Sequence, residues 1–345
     1  MPMNDAVSVA PMLASWRAAS LELETRVGSV VIGQTRAIRL MTIAIFARGH
    51  VLLAGDVGVG KTTLLRAVSR AIGGAYERVE GTVDMMPGDL LYHTYLADDG
   101  RPRVEPSALL AKADDLSIFF FNEVNRARPQ VHSLLLRLMA EGNVTAFNRV
   151  YQFPYVQVFA DRNRVEKEET FELPAAARDR FFMEIPVEAP TDVEIRRQLI
   201  FDPRYHDVDA LLASIETPAL DYQTLVSAAP IIQRSVHTSK AVQDYVVRLW
   251  EATVRPDSAG IELESIDVER LVQGGASPRG FAFLVRAARV RAWLEGRDML
   301  VPEDVRDVFV ETVAHRIFLD PVYELRREQI LRDLCAAVLA IVPAP

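Results

Sequence analysis

The chain has 345 residues, half of them hydrophobic, which is enough for about two domains with well-filled cores. Its formal net charge is −8, which argues against the positively charged surface that binds nucleic acid, so we expect no nucleic-acid partner. A single cysteine excludes an intrachain disulfide framework, no uninterrupted apolar run approaches the roughly 18 residues of a transmembrane helix, and no signal-peptide pattern opens the sequence, so a cytoplasmic protein is expected.

The first 190 residues alternate between strand-like and helix-like patterns. Residues 1–30 form a predicted helical lead-in, and short apolar runs then alternate with amphipathic stretches. The predicted strands are 50–54, 76–80, 117–121, 156–160 and 182–185, and the helical patterns between them are 35–47, 61–73 and 129–141. This alternation predicts an α/β domain over residues 31–190, with a mostly parallel sheet flanked by helices.

The pattern changes after Pro190, where the strand-like runs end. The remaining helical patterns are 191–200, 219–229, 236–253, 279–295, 302–313 and 321–342. We therefore predict a linker over residues 191–215 and a smaller all-α domain over residues 216–345.

Residues 55–62, Gly-Asp-Val-Gly-Val-Gly-Lys-Thr, match the phosphate-binding pattern called the P-loop. They follow the apolar run 51–54 and open a helical pattern, which is the strand–loop–helix context that a P-loop requires. The glycines allow backbone N–H groups to wrap a phosphate chain, Lys61 can reach the β- and γ-phosphates, and the Thr62 hydroxyl can ligate Mg²⁺. The predicted ATP-binding residues of this segment are Gly55, Asp56, Val57, Gly58, Val59, Gly60, Lys61, Thr62 and Thr63.

A second apolar run, 118–121, ends in Asn122 and Glu123 and has the form of a Walker B segment. In such a segment the first acid helps to hold the Mg²⁺ shell, and the following Glu polarises the attacking water. Glu123 fills the second role, whereas Asn122 brings an uncharged amide to the metal shell beside Thr62. Losing the charge costs about 1–3 kcal/mol, so slow hydrolysis is expected. On this basis alone, Asn122→Asp should tighten Mg²⁺ binding and raise the rate.

Three further polar residues have ordinary interpretations when each is taken alone. Asn163 follows the strand 156–160 and would usually be a turn residue. Arg180 would usually be a surface arginine, and Arg279 would usually be a charge at the start of a helix. Their order along the chain, taken together with the P-loop and the Walker B segment, favours a functional role for all three.

Over about residues 27–320 the sequence resembles the MoxR family of AAA+ ATPases. The matching strings are Val-Ile-Gly-Gln at 31–34, Arg-Gly-His-Val-Leu-Leu-Ala-Gly at 48–55, Glu-Val-Asn-Arg-Ala at 123–127, Leu-Pro at 173–174, Asp-Arg-Phe at 179–181, Gly-Ala-Ser-Pro-Arg at 275–279, the run 295–305 and His-Arg at 315–316. The family usually has Asp where this chain has Asn122.

The resemblance implies an AAA+ α/β nucleotide-binding domain followed by an all-α lid. It makes Asn163 the sensor-1 residue, Arg180 an arginine finger offered to a neighbouring subunit, and Arg279 the sensor-2 residue of the lid. Ile32 and Gly33 would lie near the adenine. Residues 142–152 would form the hairpin that precedes sensor 1, and residues 85–106 would form an insertion around the second helix.

The function implied by the resemblance is a ring, expected to be a hexamer, that binds and slowly hydrolyses Mg-ATP to remodel, assemble or activate a protein partner. In this family the partner is often a protein with a von Willebrand factor A domain. An alternative is a nucleotide-gated scaffold or assembly subunit with little or no hydrolysis, because Asn122 replaces the Walker B aspartate. A third alternative, a nucleic-acid motor of the wider AAA+ class, is disfavoured by the acidic composition.

Overall fold

The main sheet is built from five strands that alternate with helices along the chain. The structure is a computed structural model that describes residues 6–162, 171 and 173–345, with side chains from residue 9 onward. The sheet strands are β1 (Val51–Ala54), β2 (Ala75–Glu80), β5 (Leu116–Asn122), β8 (Gln157–Arg162) and β9 (Met183–Pro186), and two hairpins add β3 (Tyr92–Leu96), β4 (Pro102–Pro106), β6 (Asn143–Ala146) and β7 (Arg149–Gln152). The helices up to residue 235 are α1 (Ala6–Val30), α2 (Thr35–Phe46), α3 (Lys61–Ile72), α4 (Ala108–Ala111), α5 (Pro129–Glu141), α6 (Ala175–Arg178), α7 (Val193–Phe201), α8 (Val208–Ala213) and α9 (Leu225–Ser235).

The order of strands in this sheet is β2-β5-β8-β1-β9. The pairs β2/β5, β5/β8 and β8/β1 all run parallel, which confirms the predicted α/β fold with a parallel sheet flanked by helices. Every residue of β5 is buried, as expected for an apolar central strand covered on both faces. Because the strands are parallel, the carboxyl ends of β5, β8 and β1 meet at one edge, where ligands bind in folds of this type.

The hairpins β3/β4 and β6/β7 are antiparallel and lie in the two segments expected to be an insertion and a hairpin. Along the chain, the first hairpin lies between β2 and β5, and the second lies between α5 and β8. All residues of β3 and β4 are exposed, so this hairpin stands away from the core.

The chain divides into two compact units. The first comprises residues 1–180 and 185–227, and the second comprises residues 181–184 and 228–345. The segment predicted as a linker, residues 191–215, carries α7 and α8 within the first unit. No helix in the described part of the chain has the length and apolar character needed to cross a membrane.

Residues 228–345 of the second unit are helical apart from one short antiparallel ribbon. Its elements after α9 are α10 (Lys240–Val254), α11 (Val268–Leu271), β10 (Val272–Gly274), α12 (Pro278–Leu294), α13 (Pro302–Val313), β11 (Phe318–Leu319) and α14 (Arg327–Ile341). Cys335 is fully buried in α14, and burial raises the pKa of its thiol to about 12, which fits a small core residue.

A buried carboxylate links α12 to the start of α13. Asp304 is 0% exposed and accepts hydrogen bonds from the guanidinium groups of Arg291, on α12, and Arg297, in the loop between the helices. It also accepts from the backbone N–H of Val301, so it caps the first turn of α13. The Val-Pro-Glu-Asp-Val string of the sequence therefore forms the start of α13, and its aspartate is buried in ion pairs with two arginines.

We predict that Asp304→Ala lowers the free energy of unfolding by about 2–3 kcal/mol, because it leaves two arginines without their shared anion and removes the helix cap. Glu303→Ala is the matched control, since Glu303 is the exposed neighbour in the same helical turn. Urea unfolding followed by circular dichroism measures both variants. Equal stability of the two variants would show that Asp304 is not an anchor.

Candidate active site

A cavity of about 330 Å³ opens at the carboxyl edge of the main sheet. It is lined by residues from the loop after β1, from the start of α3, and from the ends of β5 and β8. These residues are Asp56, Val57, Gly58, Val59, Gly60, Lys61, Thr62, Thr63, Asn122, Glu123 and Asp161. The structure therefore brings the predicted P-loop and the predicted Walker B end together in one site.

The loop between β1 and α3 depends on its glycines for two different reasons. Gly58 and Gly60 have φ angles of 81° and 94°, in the left-handed region that side chains with a Cβ rarely adopt. At Gly55 the reason is space, because a Cβ there would collide with the backbone carbonyl oxygen of Val187. The backbone N–H of Val187 donates to Ala54 at 2.9 Å, which holds this strand end in place. The loop can thus present bare backbone N–H groups beside the amino end of α3, as phosphate binding requires.

Lys61 is folded back across this loop. Its ammonium donates to the carbonyl oxygens of Gly55, at 2.5 Å, and Asp56, at 3.1 Å. The same ammonium lies 3.4 Å from a carboxylate oxygen of Asp161, at the end of β8. Lys61 and Thr62, the next residue of α3, both line the cavity.

Glu123 follows directly after β5, and its backbone turns sharply there. Its φ angle of 53° lies in the left-handed region, which is uncommon for a residue other than glycine. A Cβ at Gly81, which follows β2, would collide with the Glu123 carbonyl oxygen, so the turn needs glycine beside it. The Glu123 carboxylate forms an ion pair with Arg126, whose Nε lies 3.0 Å away.

Asp161 is the residue of this site that was not singled out from the sequence. It is 2% exposed, and its Oδ1 accepts a hydrogen bond from the backbone N–H of Glu123 at 2.5 Å. Burial raises the pKa of the Asp161 carboxyl, while the Glu123 N–H and the Lys61 ammonium act in the opposite direction. The sequence did contain a signal for Asp161, because this residue follows the apolar strand 156–160 in the same way that Asn122 follows the apolar run 118–121. What was missing was the knowledge that these two strands are neighbours.

Asn122 bridges two charged side chains. In the orientation that satisfies both of its amide atoms, its nitrogen donates to Asp161 Oδ1 at 3.3 Å and its oxygen accepts from Arg78 Nη2 at 3.1 Å. The side chain is 8% exposed. Hydrogen bonds to two charged side chains therefore position Asn122 in the site, and it is more than a turn residue.

The other predicted site residues lie outside this cavity or outside the described chain. Ile32 and Gly33 lie in the turn between α1 and α2, where Gly33 packs against Pro190. Arg180 follows α6 and donates to the Ala176 carbonyl oxygen at 3.1 Å. Arg279 is an exposed residue in the first turn of α12, in the second unit. Asn163, the predicted sensor-1 residue, lies outside the described residues.

The donor set fits a magnesium nucleotide. Mg²⁺ takes oxygen ligands and is usually held by one or two carboxylates together with substrate phosphates and water. The cavity offers the Thr62 hydroxyl, the Glu123 and Asp161 carboxylates, and the Asn122 amide, next to a glycine-rich loop that can hold phosphates. A buried carboxylate beside that loop is the arrangement that such an ion requires.

Comparison with known proteins finds relatives that span nearly the whole chain. The model of the ATPase family associated with various cellular activities (AAA) matches residues 50–183, and that of the AAA lid domain matches residues 264–334. The chain is 67% identical to Protein MoxR of Methylorubrum extorquens over 97% of both sequences, and 56% identical to Protein MoxR of Paracoccus denitrificans over 96% of this chain and 98% of the relative. It is 32% identical to Chaperone MoxR1 of Mycobacterium tuberculosis, over 84% of this chain and 73% of the relative. A solved structure from Cytophaga hutchinsonii has a TM-score of 0.80 at 26% identity and covers 96% of this chain and 98% of its own.

Proposed function

The chain belongs to the MoxR family of AAA+ ATPases, and from this premise we propose that it binds Mg-ATP at the P-loop, hydrolyses it slowly, and uses the cycle in a subunit ring to remodel or help assemble a protein partner. The observation that carries this proposal is the convergence of Lys61, Thr62 and Glu123 on one cavity at the carboxyl edge of the sheet. A cytoplasmic location remains a prediction.

The proposed chemistry divides between three side chains. Lys61 would leave the carbonyl oxygens of its own loop and bind the β- and γ-phosphates, which carry more negative charge. Glu123 would orient and polarise the attacking water, as a carboxylate within hydrogen-bond reach of its proton. Thr62 would hold the magnesium ion, which when bound neutralises charge on the phosphate oxygens.

Glu123 does not act alone in this arrangement. Its ion pair with Arg126, at 3.0 Å, directs the carboxylate toward that arginine, so part of the carboxylate is engaged before any water binds. This contact supports slow turnover rather than the absence of turnover, since Arg126 is 40% exposed and can move. The nucleotide-gated scaffold with little or no hydrolysis remains the second candidate, favoured by the uncharged Asn122.

A subunit ring is proposed from the family and from Arg180. An arginine finger contributes by stabilising charge in the transition state of the neighbouring site. Arg180 follows the short helix α6, and its guanidinium makes only a local hydrogen bond, to a carbonyl oxygen four residues earlier, among the bonds described for it. We propose a hexamer, with Arg180 as the finger and Arg279 as the lid residue that responds to the γ-phosphate. Asn163 keeps its proposed sensor-1 role.

A protein partner is supported by exposed apolar side chains on the two hairpins. Tyr92 on β3 and Phe147 in the turn after β6 meet edge to face, with ring centroids 6.0 Å apart, while both remain more than 40% exposed. Leu96 and Val150 on the same hairpins are 73% and 58% exposed. Exposed apolar side chains of this kind suit protein contact better than contact with phosphates. We propose that these two hairpins contact the client, for which the family suggests a von Willebrand factor A domain.

The first test is phosphate release. We expect the purified protein with Mg-ATP to release phosphate, and Glu123→Gln to reduce the rate by at least about 100-fold while ATP binding persists, because the variant keeps the P-loop and loses the general base. Glu269→Gln, at an exposed position of α11, is the matched control and should keep the parent rate. A parent protein that binds ATP but releases no phosphate would favour the scaffold.

The second test asks whether Arg180 acts on a neighbouring subunit. Arg180→Ala should lower turnover by about 10³-fold or more, with nucleotide binding retained. Mixing it with Glu123→Gln subunits, which carry an intact Arg180, should restore phosphate release, since mixed rings contain intact sites that face intact arginines. If co-assembled mixtures stay as inactive as the two variants alone, Arg180 does not act between subunits.

A further inference from the structure

We propose that Asp161 supplies the negative charge that Asn122 lacks, so that the metal-binding carboxylate of this site stands on β8 instead of β5. The inference rests on the proposed function, because the metal would enter with the nucleotide. It assigns to Asp161 contact with the magnesium ion or its water shell, and to Asn122 the role of positioning Asp161.

The register of the sheet puts the two residues side by side. Strands β5 and β8 are parallel neighbours, with Phe121 opposite Ala160, so the residues that follow these two lie at adjacent strand ends. The Asn122 amide nitrogen lies 3.3 Å from Asp161 Oδ1, in the orientation that satisfies the amide. A carboxylate at 161 is therefore displaced by about one strand spacing from the usual Walker B position.

The two oxygens of Asp161 have different surroundings. Oδ1 is held by the Glu123 backbone N–H at 2.5 Å and by the Asn122 amide. Oδ2 lies 3.4 Å from the Lys61 ammonium, on the side of the cavity. A carboxylate that only anchored the turn at Glu123 would need the first oxygen alone. The second oxygen lies beside Lys61, which lines the cavity where phosphate and metal are expected.

Nucleotide binding would change the partner of that second oxygen. Lys61 is expected to turn from Asp161 to the phosphates, because they bring more negative charge. A carboxylate that is 2% exposed would then lose the cation that contacts it and keep only the weaker charge of Arg78, which is unfavourable in a buried place. A magnesium ion between Thr62 and the phosphates would supply positive charge again. Lys61 would thus be the cation beside Asp161 before the nucleotide binds, and the metal would take that place afterwards.

The same geometry explains the amide at position 122. An aspartate there would bring a second carboxylate within about 3–4 Å of Asp161, and like charges at that distance repel each other. Asparagine instead donates to Asp161 and accepts from Arg78 at 3.1 Å. Asn122 and Asp161 therefore complement one another, and on this proposal Asn122→Asp alone is not expected to tighten metal binding.

Four proteins test the pair: the parent, Asp161→Asn, Asn122→Asp, and the double variant, which returns the carboxylate to β5. Each substitution is nearly isosteric. The readout is Mn²⁺ binding to the protein loaded with the non-hydrolysable analogue adenylyl imidodiphosphate, with free Mn²⁺ followed by electron paramagnetic resonance. Affinity for the analogue is also measured in EDTA, without metal, and thermal melts establish that each variant is folded.

We expect Asp161→Asn to weaken Mn²⁺ binding by roughly 10–100-fold and the double variant to recover most of that loss. Asn122→Asp alone should not tighten Mn²⁺. In EDTA, Asp161→Asn should bind the analogue at least as tightly as the parent, because a negative charge near the phosphates has been removed.

Unchanged Mn²⁺ affinity in Asp161→Asn would overturn the inference. So would a loss of Mn²⁺ affinity that the double variant does not reverse, or a loss of analogue affinity in EDTA as large as the loss of Mn²⁺ affinity, since either would show a purely structural role. These outcomes are distinct from failure of the proposed function, in which the parent itself binds no analogue and releases no phosphate.

Discussion

The contact between the Lys61 ammonium and the Asp161 carboxylate, 3.4 Å apart, connects the three parts of the site. The lysine belongs to the phosphate-binding loop after β1, and the carboxylate belongs to the end of β8. Through its other oxygen, Asp161 also holds the backbone of Glu123, after β5. One buried carboxylate therefore joins the loop lysine, the turn that carries the base, and the end of β8.

Close backbone packing explains how the sequence makes room for this contact. Gly55 lies against the Val187 carbonyl oxygen, and Gly81 lies against the Glu123 carbonyl oxygen, so neither position tolerates a Cβ without movement. These approaches bring β9 to the start of the loop and the end of β2 to the turn at Glu123. The glycines thus allow the strand ends to converge, and the charged side chains then occupy the space between them.

Much of the fold was predictable because its signals are local. The P-loop at 55–62 carries its own strand–loop–helix context, and the alternation of apolar runs predicted the parallel sheet that the structure has. Asp161 was missed for a physical reason: adjacency of β5 and β8 arises from a crossover and leaves no trace in either strand's sequence. The ribbon β10/β11 was not predicted, because two or three residues are too few to show the alternation of buried and exposed side chains that marks a strand. The role of Asn122 could not be predicted from the sequence either, because it depends on which groups the side-chain amide donates to and accepts from.

The central claim is that the site's metal-binding carboxylate is Asp161. The most direct measurement is a crystal structure of the unmodified protein with Mg²⁺ and a non-hydrolysable ATP analogue. We expect Lys61 to contact the β- and γ-phosphates, Asp161 to have separated from Lys61, and an Asp161 oxygen to ligate the magnesium ion or one of its waters. An Asp161 that still pairs with Lys61, beside a magnesium shell that includes Asn122 and not Asp161, would show that Asp161 is not the metal-binding carboxylate.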